Sequence, residues 1–331
     1  MPDDPQAGEI SALIGDADHV VFVLADGLGV NLLETYAEGA FLREHMAREL
    51  RAVFPSSTAP ALTSIVTATW PGTHGATGWW TYIPAVDHTI TLLPFADRFI
   101  ERPAEDLGLS GEVAFATPAA MSSATRDVAA VMPKWIAGST YSRYTAGGHP
   151  IAAYGSVAEG VDIVAARIAA ARGRTYTYLY VPIIDGEEHE HGWTSWQTRR
   201  ALAETRREIE RLSRLGGAGL RIVVSADHGQ MEVEDSGKII WRKDEPILRH
   251  LRFPPTCEPR CAAFHCIPGQ HAVFAEAFRD RHGEHFALLT IDEAESQHLF
   301  GPGPLAAETR ARLGDYVAIA IDETVLMYEP H

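Results

Sequence analysis

Six residues of this chain carry side chains that could hold divalent cations and attack an electrophile: Asp26, Thr58, Asp185, His189, Asp227 and His228. Thr58 lies in FPSSTAPALTSIVTATWPGTHG, a short polar turn followed by a helix-length segment with Pro60 in its first turn and Pro71 and Gly72 past its end. A hydroxyl at a helix N-terminus faces unpaired backbone N–H groups and the positive end of the helix dipole, which suits a phosphate or sulfate oxygen. Taken alone, the same hydroxyl is an ordinary helix cap. Asp185 and His189 are spaced D-x3-H, which lets a carboxylate and an imidazole converge on one ion, with His191 as a competing ligand. Asp26 precedes a glycine, where a helix cap or turn residue is the plain alternative to a ligand, and Asp227, His228 and Gly229 follow in the same way on a later apolar run. Trp79 and Trp80 either line a pocket for a flat substrate group or pack against the body of the protein.

The elements that must position these residues are legible as hydrophobic runs. HVVFVL (19–24), TYTYLYV (175–181) and LRIVVS (220–225) have the pattern of strands buried on both faces of a parallel sheet. Each run leads into an acid-bearing turn. In parallel α/β topology such ends gather on one edge of the sheet, which predicts that Asp26, Thr58, Asp185, His189, Asp227 and His228 meet. Residues 51–54 are expected to form a further short strand that delivers Thr58 to that edge. Helical periodicity covers residues 41–50, 156–171 and 195–215, the last with a solvated Glu/Arg face. Past Gly229 the texture changes to an apolar stretch at 262–267, a helix at 272–281, a strand at 286–291 and the strand-like DYVAIAI, which together suggest an α+β insertion or cap.

The composition narrows the function classes. A chain of 331 residues with 46% hydrophobic and 22% charged residues is long enough for a large α/β domain with an insertion. Its formal net charge of -16 disfavours a nucleic-acid polymer or an anionic membrane surface as partner. The early sequence has no basic segment leading into a long apolar run, so a cytoplasmic protein is expected. Cys257, Cys261 and Cys266 are expected to be reduced thiols; their spacing differs from the paired C-x2-C of zinc knuckles.

Four blocks carry a resemblance to a known family: VFVLADGLG around Asp26, the segment around Thr58, PIIDGEEHEHG around Asp185 and His189, and SADHGQM around Asp227 and His228. In content, order and separation they resemble the type I phosphodiesterase and nucleotide pyrophosphatase branch of the alkaline phosphatase superfamily. The resemblance implies an α/β fold with a mostly parallel central sheet, helices on both its faces and a small α+β insertion. It places a catalytic core at residues 1–253, the insertion or cap at 254–320 and a short returning tail at 321–331.

It also implies two zinc ions, with manganese or another divalent metal as the alternative. Asp26, Asp227, His228 and Thr58 would hold one; Asp185, His189 and a histidine near the C-terminus, for which His331 is the available residue, would hold the other. His265, His271 and His298 fit that last role less well. Zinc coordination would activate the Thr58 hydroxyl for attack on phosphorus, giving a covalent phospho-threonine that water then releases. The expected substrate is a small-molecule phosphodiester or pyrophosphate. A phosphomonoesterase or phosphonate hydrolase with the same metals, and a catalytically weak metal-binding homologue with an incomplete second site, are the alternatives. The lack of a cysteine beside the nucleophile position disfavours a formylglycine sulfatase. Oligomeric state is left open.

Overall fold

Runs of β-branched and aromatic residues form the strands. In chain order they are β1 (His19–Ala25), β2 (Trp80–Ile83), β3 (His88–Thr91), β4 (Ala96–Asp97), β5 (Asp127–Pro133), β6 (Ile151–Tyr154) and β7 (Thr175–Val181). They continue as β8 (Leu220–Ser225), β9 (Lys238–Trp241), β10 (Thr256–Glu258), β11 (Cys261–Phe264), β12 (Phe286–Thr290), β13 (Tyr316–Ala320) and β14 (Val325–Tyr328). The computed structural model describes residues 5–329, apart from 216 and 218. Two compact units are present: the first takes the chain up to Ala52, Ile65–Ala68 and Pro118–Glu232, and the second takes Val53–Ser64, Thr69–Thr117 and the chain from Val233 on.

The first unit is built on a five-stranded parallel sheet in the order β6-β5-β7-β1-β8. Val21, Val23, Leu179 and Val181 are buried, as their continuous apolar runs predict. Against them pack the helices Val157–Ala170 and Trp196–Leu215 through Val161, Val164, Leu202, Ile209 and Leu212. The first of these helices begins where its sequence says, with Ser156 Oγ accepting from the Glu159 N–H at 3.3 Å. On the second, the alternating charges form a solvated face with one exception: Glu208 is buried, held by Arg207 at 3.0 Å and Arg211 at 2.7 Å. The register sets Ala25 opposite Val181 and Leu24 opposite Ser225, so β1, β7 and β8 end level with one another. That alignment brings the turns bearing Asp26, Asp185 and Asp227 to the same carboxyl edge.

The second unit is organised by a seven-stranded sheet in the order β12-β13-β11-β10-β2-β3-β4. The pairings β2 with β3, β10 with β11, and β13 with both β11 and β12 are antiparallel. The strands expected between residues 254 and 320 are therefore continued by β2–β4, a pairing that local pattern does not reveal. Trp241, Phe264, Phe274, Phe278 and Phe286 form its aromatic core, with the helix His271–His282 supplying Phe274 and Phe278. A parallel pair, β14 with β9, lies beside this core.

Two local expectations are corrected. Residues 51–54 form no strand; Pro55 ends the run and lacks the N–H a ladder needs. The helix expected at 41–50 is confined to Ala40–Glu44, because Met46 and Leu50 are exposed and a short helix without a packed apolar face does not persist. No helix among the described residues is long and apolar enough to cross a membrane.

Candidate functional site

The carboxyl edge of the first unit's sheet carries a cluster of buried carboxylates around one imidazole. Asp26 follows β1 directly, and its N–H donates to the Val181 carbonyl at 3.0 Å. Its Oδ2 accepts from the Tyr180 hydroxyl at 2.5 Å, whereas its Oδ1 has no hydrogen-bond partner. Asp227 repeats the arrangement after β8: Oδ1 accepts from the N–H groups of Gly27 (3.2 Å) and His228 (2.9 Å), and Oδ2 has no hydrogen-bond partner. Each carboxylate is thus pinned by one oxygen and leaves the other unpaired. Both unpaired oxygens lie near His228 Nε2, at 3.6 Å for Asp26 and 3.4 Å for Asp227. The His228 Nδ1 stands 3.1 Å from the Gly229 carbonyl, so Nε2 is the nitrogen presented to the carboxylates.

The turn after β7 completes the cluster. Pro182 leads into the helix Ile183–His191, and the Asp185 N–H donates to the Asp26 carbonyl at 3.2 Å. Asp185 Oδ1 accepts from Gln230 Nε2 at 2.9 Å and lies 3.4 Å from His189 Nε2, the i,i+4 partner on the same helical face. One donor atom each from Asp26, Asp185 and His228 falls within a 4.8 Å group. Close approach of the turns depends on glycine: Gly27 has φ +74°, and a Cβ there would lie 2.6 Å from Glu188 Oε2.

Charge crowding shows in the acidities. Burial, reinforced by the charges of Asp227 and Asp185, holds the Asp26 carboxyl well above the usual range. Burial pushes Asp227 up to about 6. Glu188 rises to about 8, through burial first and then the charges of Asp185, Asp26 and Asp227. Carboxylates collected out of water without a matching positive charge are unfavourable, and a divalent cation is the natural counter-charge. The paired unpartnered oxygens and the facing imidazole nitrogen fit that role.

The Thr58 segment belongs to the second unit. Thr58 is buried and opens the helix Thr58–Thr67; Ser57 caps it, its carbonyl accepting from the Ala61 N–H at 3.1 Å. Glu258, on β10, fixes this turn by accepting from the Ser57 hydroxyl and from the Trp79 N–H. Behind it, Ser64 Oγ meets His74 Nε2 at 2.9 Å while His74 Nδ1 accepts from the Ala76 N–H at 3.1 Å. Burial, with the Arg312 charge, depresses His74 to about 3, so this imidazole is neutral and its proton sits on Nε2.

The remaining sequence candidates have plainer surroundings. The Arg98 guanidinium covers one face of Trp80 at 3.8 Å, and Trp79 is half-buried. His191 lies 3.5 Å from Glu187. His265 is buried with Nε2 3.1 Å from the Ala311 carbonyl, His271 meets Asp315 at 3.2 Å, and His298 lies in the left-handed region at φ 55°. The three cysteines are free and buried, with no metal cluster around them among the described residues. His331 lies outside the described residues. Sequence reasoning missed Tyr180, Glu188 and Gln230. Glu188 alone carried a signal, since it falls three residues after Asp185 on a helix.

The model of the family described as type I phosphodiesterase / nucleotide pyrophosphatase matches residues 20–331. The chain belongs to this family. As a type I phosphodiesterase/nucleotide pyrophosphatase family member it is a hydrolase acting on phosphoric ester bonds, and the family is metal-dependent. No curated protein matches the chain significantly. Among solved structures, murine ectonucleotide pyrophosphatase/phosphodiesterase 5 is similar at a TM-score of 0.71 and 14% identity, over 94% of this chain and 80% of that one. An inactive form of that enzyme in complex with AMP aligns at a TM-score of 0.70 and 14% identity, covering 93% and 80% of the two chains. Phosphonoacetate hydrolase from Sinorhizobium meliloti 1021, in complex with phosphonoformate, aligns at a TM-score of 0.62 and 17% identity, covering 93% and 82%. These likenesses establish for the family member the α/β fold with a parallel central sheet flanked by helices.

Proposed function

We propose that this chain cleaves small phosphodiesters or pyrophosphates by double displacement at Thr58, supported by two divalent cations, zinc by preference. Asp26, Asp227 and His228 would hold one cation together with Thr58, and Asp185 and His189 the other. The observation that carries the reading is the pair of buried, unpartnered oxygens, Asp26 Oδ1 and Asp227 Oδ2, both facing His228 Nε2. Bound there, the cations would supply Lewis-acid charge to the phosphoryl oxygens and lower the pKa of a hydroxyl or water.

The chain's own residues would do the rest. Tyr180 and the Gly27 N–H fix the ligand oxygens of Asp26 and Asp227, and Gln230 orients Asp185. Thr58 Oγ1 attacks phosphorus and the ester oxygen leaves, giving a phospho-threonine; attack by water then returns Thr58 and phosphate or its monoester. The helix N-terminus at Thr58 supplies N–H groups and dipole for the phosphoryl oxygens, and Glu258 holds the turn that presents the hydroxyl. A phosphonate substrate is the second reading, favoured by the likeness to phosphonoacetate hydrolase.

The test is Thr58→Ala assayed against an aryl phosphodiester, an aryl phosphomonoester and phosphonoacetate, with intact-protein mass spectrometry of acid-quenched wild type. Wild type should prefer the diester and show on Thr58 a phosphoryl adduct that keeps the diester's second ester group, or plain phosphate from the monoester, while the variant should lose roughly 1,000-fold or more in turnover yet keep its metal. Turnover that survives the substitution would remove Thr58 as nucleophile and point to Ser57.

A further inference from the structure

In the second unit, a cavity of about 520 Å³ opens between the turn that follows β11 and the turn that precedes β13. Its size falls within the roughly 300–1,000 Å³ of small-molecule sites. None of its lining residues belongs to the acidic cluster. Ile267, Pro268 and Ala311 give it apolar walls, while Arg252, Arg310 and Asp315 bring charge to it. His265 also lines it and is only 5% exposed. The His265 Nε2 donates to the Ala311 carbonyl at 3.1 Å, and the Cδ2 side of the ring lies against Gly314, where a Cβ would come within 2.7 Å of it. Nδ1, on the opposite side of the ring, has no hydrogen-bond partner. Burial holds this imidazole neutral, depressed to about 4, so with the proton on Nε2 the idle nitrogen is an acceptor. A buried acceptor without a donor is unfavourable, and a ligand N–H would relieve it.

The charges of the lining come in both signs, and each is already offset. Arg252 donates to Asp87 at 3.2 Å and to the Tyr82 hydroxyl at 3.3 Å; Arg310 pairs with Asp292 at 2.8 Å and with Glu295. Asp315 meets His271 at 3.2 Å and accepts from the Cys266 N–H at 2.6 Å. Arg252 uses only Nη2 in these contacts, so Nε and Nη1 keep their donors. The helix His271–His282 begins at the same cavity, with the unpaired N–H groups and positive dipole end of its first turn. A bare anion would face Asp315 and compete with three acids for the guanidiniums, whereas a bare amine would face two guanidiniums. A net-neutral ligand that carries both signs satisfies the whole lining. We propose that this cavity binds an α-amino acid with an apolar side chain. Its carboxylate sits on the Arg252 guanidinium and the helix N-terminus, its ammonium donates to Asp315 and His265 Nδ1, and its side chain lies against Ile267 and Pro268. The assignment stands independently of the reaction given to Thr58.

The experiment is calorimetric titration of the full-length protein with L-leucine, with 4-methylpentanoate, which lacks the amine, and with 3-methylbutylamine, which lacks the carboxylate. Leucine should bind, and each analogue should bind at least about 10-fold more weakly, the loss of one hydrogen-bonded charge. Asp315→Asn should weaken leucine by a similar factor without weakening 4-methylpentanoate, and Arg252→Gln should weaken both. Asp227→Asn, in the acidic cluster, should bind leucine as wild type does, which separates this cavity from chelation of a metal there. Should Asp315→Asn fail to fold, Ile267→Trp, at a half-exposed position on the cavity wall, should obstruct the cavity and abolish leucine binding. Three results would overturn the assignment: no leucine bound by wild type, an analogue that binds as tightly as leucine, or binding that survives in the cavity variants.

Discussion

Stripping the metal should make the protein's stability fall with rising pH, and Glu188 sets the size of the effect. In the metal-free fold its pKa rises from 4.5 to about 8, through burial first and then the neighbouring carboxylates. An acid with a raised folded pKa binds its proton more tightly in the native state than in the unfolded one. Its stabilising contribution is therefore whole below about pH 4.5 and is lost as the pH climbs to about 8. His74, His265 and His282, depressed to about 3, 4 and 4 by burial, act in the opposite sense, but only below their unfolded value of 6.5. The interval from 6.5 to about 8 therefore excludes these three imidazoles; His285, raised by its hydrogen bond to Asp322, loses stability there too, but equally in wild type and a Glu188 variant. At about 1.4 kcal/mol per unit, Glu188 alone takes about 2 kcal/mol from the metal-free protein across it. The melting temperature should drop by roughly 4–8 °C. Asp26, raised in the same direction, adds to the slope. Scanning calorimetry of chelator-treated wild type and Glu188→Gln at the two ends of this interval measures the difference. Parallel slopes in the two proteins, or a wild type that gains stability with pH, would refute the claim that this buried carboxylate carries a proton in the metal-free fold.

Two further perturbations probe the supports of each unit. Tyr180→Phe removes the hydroxyl that fixes Asp26 Oδ2 and favours the ionised carboxylate; metal affinity should fall about 10-fold and uptake should begin at higher pH, read by a pH series of zinc titrations. Arg312 is fully buried and donates to the Gly75 carbonyl at 3.0 Å, the Ala114 carbonyl at 3.1 Å and Glu308 at 2.8 Å. Arg312→Met leaves those carbonyls without donors and should lower stability by about 3 kcal/mol in urea melts; an unchanged midpoint would show that water replaces the guanidinium.

Much of the first unit was legible in the sequence because its strands are buried on both faces. Continuous runs such as HVVFVL and TYTYLYV read as parallel strands whatever surrounds them, and β1, β7 and β8 begin and end within a residue of the runs. The acids follow those strands in the chain, so Asp26, Asp185 and Asp227 were nameable from their positions alone. Residues 41–50 show the limit of local pattern: they have helical periodicity, but only Ala40–Glu44 has a core to pack on.

Tertiary structure decided what spacing cannot encode. Strand order and register level the ends of β7, β1 and β8, and this alignment turns acids some two hundred residues apart into one cluster. The pairing of β10 with β2 joins residues 80–97 to the strands after 256, because sheet edges seek partners without regard to chain distance. Burial also separates Glu188 from the ordinary charged residues beside it in GEEHEHG. In sequence it is one acid of three; in the fold it is the buried one, with no protein donor on either oxygen. The residue types and their order were written in the chain, while desolvation, which sets what each carboxylate can bind, exists only once the chain has packed.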